Sequence, residues 1–216
     1  MDSRAAFTVV IPAFNEARRI RRVIEVARRC PGVAEVLVVD DGSQDQTARV
    51  AELAGARVVR FPENRGKGAA MLAGAEAAGS EVLLFLDADL LGLTAAHLQA
   101  LAGPVLAGDA DMTMGLFESG RISTDLAQKL TPFLTGQRAM RRATFLAVPG
   151  VADAGFGVEV AISHYAKEAN LRVTKVTLSG VSQVMKEEKR GFRAGFRSRL
   201  RMYWELVRSW VHLSLG

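Results

Sequence analysis

The residues best suited to chemistry form four short clusters in the first half of the chain. Asp87-Ala88-Asp89 sets two carboxylates one residue apart behind the apolar run 82–86 (VLLFL). In an extended chain, alternate side chains point to the same side, so both carboxylates can reach one cation. Without a cation or hydrogen-bond donors they repel each other. Their hard oxygens suit Mg²⁺ or Mn²⁺, which keep waters and share a substrate's phosphates. Asn64-Arg65-Gly66-Lys67-Gly68 places a lysine between glycines at the start of a helix-like segment. Glycines let the backbone come close to an anion, and a helix N-terminus favours negative charge. Asp40-Asp41-Gly42-Ser43 and Pro12-Ala13-Phe14-Asn15-Glu16 complete the set. Any one cluster is also ordinary turn or cap chemistry, as Asp45 or Asn15 with Glu16 at a helix start would be. A bare D-x-D is frequent by chance. Neither the P-loop pattern G-x-x-x-x-G-K-[ST] nor G-x-G-x-x-G after a first strand is present, which argues against a P-loop nucleotide hydrolase and a dinucleotide dehydrogenase.

The segments between these clusters say how they are positioned. Residues 7–11 (FTVVI), 35–39 (EVLVV), 57–61 and 82–86 read as strands. Residues 16–29, with Ile20, Val23, Ile24 and Ala27 on one face, read as a helix, as do 45–54 and 68–78. Strands alternating with helices of this length predict an α/β fold, a mostly parallel sheet with helices on both faces. Ligands in such sheets bind outside the carboxyl ends of the strands, where all four clusters fall.

The 216 residues, 49% apolar and 24% charged, describe a globular chain and exclude disorder, collagen and low-complexity fibre. The lone Cys30 excludes a disulfide framework and a cysteine zinc site, and fits a reducing compartment. The net charge of +5 conceals an asymmetry. Residues 1–110 carry 12 basic and 14 acidic side chains, a net of −2, and residues 111–216 carry 16 and 9, a net of +7. A basic half meets an anion, such as a phosphorylated molecule or an anionic membrane, or is simply a solvated face. No signal peptide or bilayer span is expected: the apolar run 7–12 is too short, and the longest uncharged stretch, 90–108, carries polar residues and Pro104.

Residues 7–16 (FTVVIPAFNE), 36–47 (VLVVDDGSQDQT), 64–68 (NRGKG) and 82–90 (VLLFLDADL), taken in order, resemble the nucleotide-binding half of family 2 glycosyltransferases of the GT-A fold. The resemblance implies that Pro12, Ala13, Phe14 and Glu16 line the nucleoside pocket, with Asp41 and Ser43 toward base or ribose. Lys67 would reach the nucleotide, and Asp87 and Asp89, flanking Ala88, would hold Mg²⁺ or Mn²⁺ on the diphosphate of a UDP- or GDP-sugar. Asp89, Glu159 and Arg138 are the implied catalytic residues.

The second half points to the acceptor. Thr135-Gly136-Gln137-Arg138-Ala139-Met140-Arg141-Arg142 resembles a segment of polyprenyl-phosphate glycosyltransferases, with Gln137 in place of an aromatic residue. Three clustered arginines can bind a phosphate through forked hydrogen bonds, or can form a solvated helix face. Gly120-Arg121 resembles a further phosphate-contacting pair. Gly155-Phe156-Gly157-Val158-Glu159 resembles a motif of glucosyl-3-phosphoglycerate synthases, and Gln183 stands where those enzymes carry a metal-binding histidine. His97, His164 and His212 show no ligand spacing.

In residues 192–213 aromatic and aliphatic side chains recur near helical spacing among arginines. Such a helix suits an anionic membrane interface, or it packs on the domain or on a second copy in a homodimer. The expectation is one GT-A domain over 1–216: a nucleotide-sugar half (1–115), an acceptor half (116–190) and a basic amphipathic helix (191–216). It would act on a phosphorylated acceptor, preferably a polyprenyl phosphate, in the cytoplasm or at the inner membrane face. The alternatives are a soluble acceptor such as 3-phosphoglycerate, and a nucleotide-sugar-binding protein without turnover. No nucleic-acid reader motif is present.

Overall fold

The fold was obtained as a computed structural model and is described for residues 6–118 and 135–183. Arg121, His212 and the expected C-terminal helix lie outside the described residues.

The alternating pattern of the first half produces β1 (Phe7–Ala13), α1 (Ile20–Arg29), β2 (Val33–Asp40), α2 (Thr47–Leu53), β3 (Arg57–Arg60), α3 (Lys67–Ala77) and β4 (Val82–Phe85). There follow β5 (Leu90–Leu91), α4 (Ala95–Leu106), β6 (Met112–Phe117), β7 (Arg138–Arg141), α5 (Arg142–Leu146), a 3₁₀ turn at Gly155–Gly157, α6 (Val158–Glu168), β8 (Val173–Leu178) and β9 (Ser182–Gln183). Seven strands form one sheet in the order β3-β2-β1-β4-β7-β6-β8, while β5 and β9 pair separately. β1 is parallel to β2 and β4, β2 to β3, and β6 to β8; β7 alone runs against its neighbours.

Period-two alternation divides the core between the two faces of the sheet. Val9, Ile11, Val38 and Leu84 face α1 and α4, whose Ile24, Leu98 and Leu101 cover them. Val10, Leu37, Leu83 and Phe85 face α3, α5 and α6, covered by Met71, Phe145 and Ile162. All four residues of β4 are buried, as a strand covered on both faces requires. The expected α/β architecture, a mostly parallel sheet flanked by helices, is therefore present. No helix among the described residues is long and apolar enough to cross a membrane.

The largest shift of an expected boundary is at the first helix. The helix expected over 16–29 begins at Ile20. The Glu16 and Ala17 N–H groups donate instead to Thr47 Oγ1 (2.8 Å) and Asp45 Oδ2 (3.2 Å), which fixes residues 16–17 against the start of α2.

The parallel strands β1–β4 end on one edge, and the segments that follow them line it. Because β7 is antiparallel, Arg138 pairs with Phe85 at this edge and Arg141 pairs with Val82 at the other.

Candidate functional site

The loops at this edge are cross-braced. Asn15, in the left-handed region at φ 57, donates its N–H to Ser43 Oγ (2.8 Å) and accepts from the Gln44 N–H (2.9 Å). This holds the Pro12–Glu16 segment against residues 43–47, with Ala13 buried and Phe14 half-buried. Asp40, fully buried, accepts from the Ser43 N–H, and its other oxygen faces Arg60 Nε at 3.4 Å. Asp41 clamps the Asn64–Gly66 turn: Oδ1 accepts from the Arg65 N–H (2.7 Å), and Oδ2 from the Gly66 N–H (3.0 Å) and Asn64 Nδ2 (2.9 Å). Burial pushes the Asp41 carboxyl above its ordinary value, and the Arg65 and Gly66 N–H groups oppose the shift. Gly42, at φ 70, lets these loops touch, since a Cβ there would lie 2.4 Å from the Glu63 carbonyl carbon.

The Asp41 clamp sets the start of α3, where Lys67 turns into the centre of the site. Its Nζ donates to Asp87 Oδ1 and to Glu159 Oε1, both at 2.6 Å. Burial works against the ammonium, but the two carboxylates outweigh it and hold the Lys67 pKa above the ordinary lysine value. Asp87 Oδ2 accepts from Gln137 Nε2 (2.7 Å) and from Gln183 Nε2. Gln183 reaches this position because β9 pairs with β5, Gln183 opposite Leu90. Asp89 lies buried directly before β5. The structure brings Lys67, Asp87 and Glu159 into direct contact and adds Gln137 as a partner of Asp87. Sequence reasoning noted Gln137 only as a departure from an aromatic residue. An amide in a segment that enters a buried strand was the signal that it needs a polar partner.

Asp87 and Asp89 offer hard carboxylate oxygens, and the Gln183 amide carries a carbonyl oxygen beside them, a donor set that fits Mg²⁺ or Mn²⁺. Among the described residues no three His, Cys, Asp or Glu side chains come together as a metal cluster. His97 is instead part of the capping box of α4 with Thr94, and His164 faces Glu168 across one turn of α6.

The backbone passes this cluster at Gly136, where a Cβ would lie 2.6 Å and 2.7 Å from the Asp87 oxygens and 2.8 Å from Lys67 Nζ. These are side-chain ends, so Gly136→Ala is expected to fold with a small loss of stability. The ion pair must shift, and affinity for a nucleoside diphosphate with Mn²⁺ should fall about tenfold. Calorimetric titration beside a thermal melt checks this; a large loss of melting temperature with unchanged affinity would refute it.

The arginine segment requires a correction. The sequence suggested that Arg138, Arg141 and Arg142 converge on one phosphate, and the strand separates them. Arg138 is fully buried, with Nε donating to Thr135 O (2.9 Å) and Nη1 to Ser163 Oγ (2.9 Å). Burial lowers its pKa to about 10, against the pull of Glu159. Arg141 is exposed, 3.8 Å from Glu81, at the opposite edge of the sheet. Arg142 donates to the carbonyls of Ala75 (2.7 Å) and Glu76 (3.4 Å) at the end of α3. Arg138 and Arg141 lie at opposite ends of β7 and, an odd number of residues apart, point to opposite faces of the sheet.

A family model described as Glycosyl transferase family 2 matches residues 8–164, which include every residue of this site except Gln183. The chain belongs to glycosyl transferase family 2. Among relatives of this family 2 chain, glucosyl-3-phosphoglycerate synthase of Mycobacterium tuberculosis (strain ATCC 25618 / H37Rv) is 29% identical, covering 72% of this chain and 59% of the relative. Human dolichyl-phosphate beta-glucosyltransferase is 38% identical over 38% of this chain and 30% of its own. This family 2 chain thus spans 59% of the length of the first and less of the second. The crystal structure of the mycobacterial synthase with Mn²⁺, uridine diphosphate and glucosyl-3-phosphoglycerate matches with a TM-score of 0.69 and 28% identity, covering 83% of this chain and 72% of that one. The same enzyme with phosphoglyceric acid matches with a TM-score of 0.72 at the same identity and coverage.

Proposed function

We propose that this chain transfers a sugar from a nucleotide-sugar to a phosphate-bearing acceptor, with Mg²⁺ or Mn²⁺. The observation that carries the reading is the Lys67–Asp87–Glu159 cluster beside Asp89 at the carboxyl edge of the sheet. Asp87 and Asp89 would hold a divalent cation, which when bound would supply positive charge against the charge growing on a leaving nucleoside diphosphate. The Lys67 ammonium acts on the same charge from the helix start. Residues 12–16 with Ser43 form one wall for the nucleoside, and Asp41 shapes the other by holding the Asn64–Gly66 turn. In this reading residues 1–115 carry the donor, and the part beginning at 116 carries the acceptor. Glu159 faces the reacting sugar from the acceptor half, on the first turn of α6. The family relationship, and the relatives that bind Mn²⁺ with uridine diphosphate, support the assignment.

Two acceptors follow from two observations. The match to the phosphoglycerate synthase over 83% of the chain favours a small phosphorylated acid such as 3-phosphoglycerate. The aromatic and arginine-rich residues 192–213, with the dolichyl-phosphate relative, favour a polyprenyl phosphate at the cytoplasmic membrane face. The deciding experiment measures Mn²⁺-dependent release of nucleoside diphosphate from a panel of UDP- and GDP-sugars with each acceptor, with the product anomer determined. Release with 3-phosphoglycerate alone selects the soluble reading. Release with a polyprenyl phosphate, together with flotation on anionic liposomes, selects the membrane reading. Binding of nucleotide-sugar without release under any condition makes the chain a binding protein.

A further inference from the structure

We propose that Lys67 competes with the divalent cation for Asp87, so that this site admits the cation only together with a nucleoside diphosphate. The inference deepens the assignment of Asp87 and Asp89 as cation ligands and rests on it. Both oxygens of Asp87 accept hydrogen bonds: Oδ1 from the Lys67 ammonium at 2.6 Å, and Oδ2 from the amides of Gln137 and Gln183. Lys67 is pinned from its other side by Glu159 at 2.6 Å. The Lys67 and Asp87 side chains are each 16% exposed and that of Glu159 only 9%, so solvent screens these charges poorly. A bare cation arriving at Asp87 therefore meets a resident positive charge in direct contact with its ligand.

Charge balance points the same way. Lys67 and Asp87 offset each other, and the buried Arg138 lies within the field of Glu159. Without a nucleotide, Asp87 would have to neutralise the Lys67 ammonium and the two added positive charges together. A diphosphate changes this balance. It brings several negative charges and its own oxygens for the cation. It also gives Lys67 a new acceptor, for which the ammonium has a third donor beyond those given to Asp87 and Glu159. Lys67 then turns from competitor for Asp87 to ligand of the diphosphate, and cation and nucleotide bind as one unit. Gln137 and Gln183 keep the Asp87 carboxylate oriented during the exchange.

The test is Mn²⁺ binding to the full chain, followed by the electron paramagnetic resonance of free Mn²⁺, with and without UDP or GDP, for the wild type, Lys67→Met and Lys67→Arg. The wild type is expected to bind Mn²⁺ about tenfold more tightly with nucleotide than without. Lys67→Met should bind Mn²⁺ alone about tenfold more tightly than the wild type does, and lose most of the nucleotide dependence. Lys67→Arg keeps the charge and should resemble the wild type without nucleotide. A gain of affinity is an outcome that structural damage does not produce. If Lys67→Met loses its melting transition, Lys67→Gln carries the same comparison. Mn²⁺ affinity in the neutral variant equal to or below that of the wild type overturns the proposal. Absence of Mn²⁺ binding in every protein, with either nucleotide, instead overturns the assignment of the cation site itself.

Discussion

Asp89→Ala is expected to abolish Mn²⁺-dependent binding of a nucleoside diphosphate while the chain stays folded. Asp87 is fastened by Lys67, Gln137 and Gln183, so it keeps its place when its neighbour is removed. Asp89 lies just beyond β4, outside the paired strand, and its truncation leaves the ladder between β1, β4 and β7 intact. With Asp87 and Asp89 as the proposed cation ligands, the cation would lose one of two protein carboxylates, and the diphosphate its neutralising partner. Loss of an outer partner of a metal ligand costs roughly 10- to 100-fold in affinity, so loss of a ligand should exceed about a hundredfold. Calorimetric titration of UDP and GDP, with Mn²⁺ and with a chelator, provides the measurement. Asp89→Asn, which keeps the volume and one carbonyl oxygen, should fall between the two. Unchanged Mn²⁺-dependent heats in Asp89→Ala would remove Asp89 from the cation site.

The second large effect is on stability. Arg138→Ala should destabilise the fold by about 3–5 kcal/mol, because the largest of the fully buried side chains is lost and its partners stay inside. Thr135 O and Ser163 Oγ each lose a donor, and the buried Glu159 loses the positive charge opposing its own. For a chain of this length the melting temperature should fall by roughly 10 °C. Arg141→Ala, three residues away on the same strand, removes an exposed side chain 3.8 Å from its acidic neighbour. It should change stability by less than about 0.5 kcal/mol. A thermal melt of the two variants separates these outcomes. A wild-type melt for Arg138→Ala, with selective loss of transfer to a phosphate acceptor, would return Arg138 to the acceptor site.

Much of the fold was legible because its signals are local. Runs such as residues 7–11 and 82–86 fix buried parallel strands, and the spacing of Ile20, Val23, Ile24 and Ala27 fixes the inner face of α1. Once those strands are parallel, the clusters that follow them must gather at one edge, so Lys67 and Asp87 were placed together without coordinates. The start of α1 was misjudged because Glu16 and Ala17 spend their N–H groups on Thr47 and Asp45, a loop contact that periodicity does not carry.

The sequence by itself determined the layered α/β plan, the order of the polar clusters and the residue types able to hold a nucleotide and a cation. Only the tertiary structure decided which of those residues meet. The contacts of Asp87 with Gln137 and Gln183 and of Lys67 with Glu159 span 50, 96 and 92 residues, and they depend on how β7, β9 and α6 return to the edge. The antiparallel direction of β7 divides the arginines, taking Arg138 into the core beside the site and Arg141 to the far edge. The physical reason is that side-chain periodicity reports which face of a strand is buried. It does not report the direction in which the strand runs, and that direction sets which of its ends reaches the ligand.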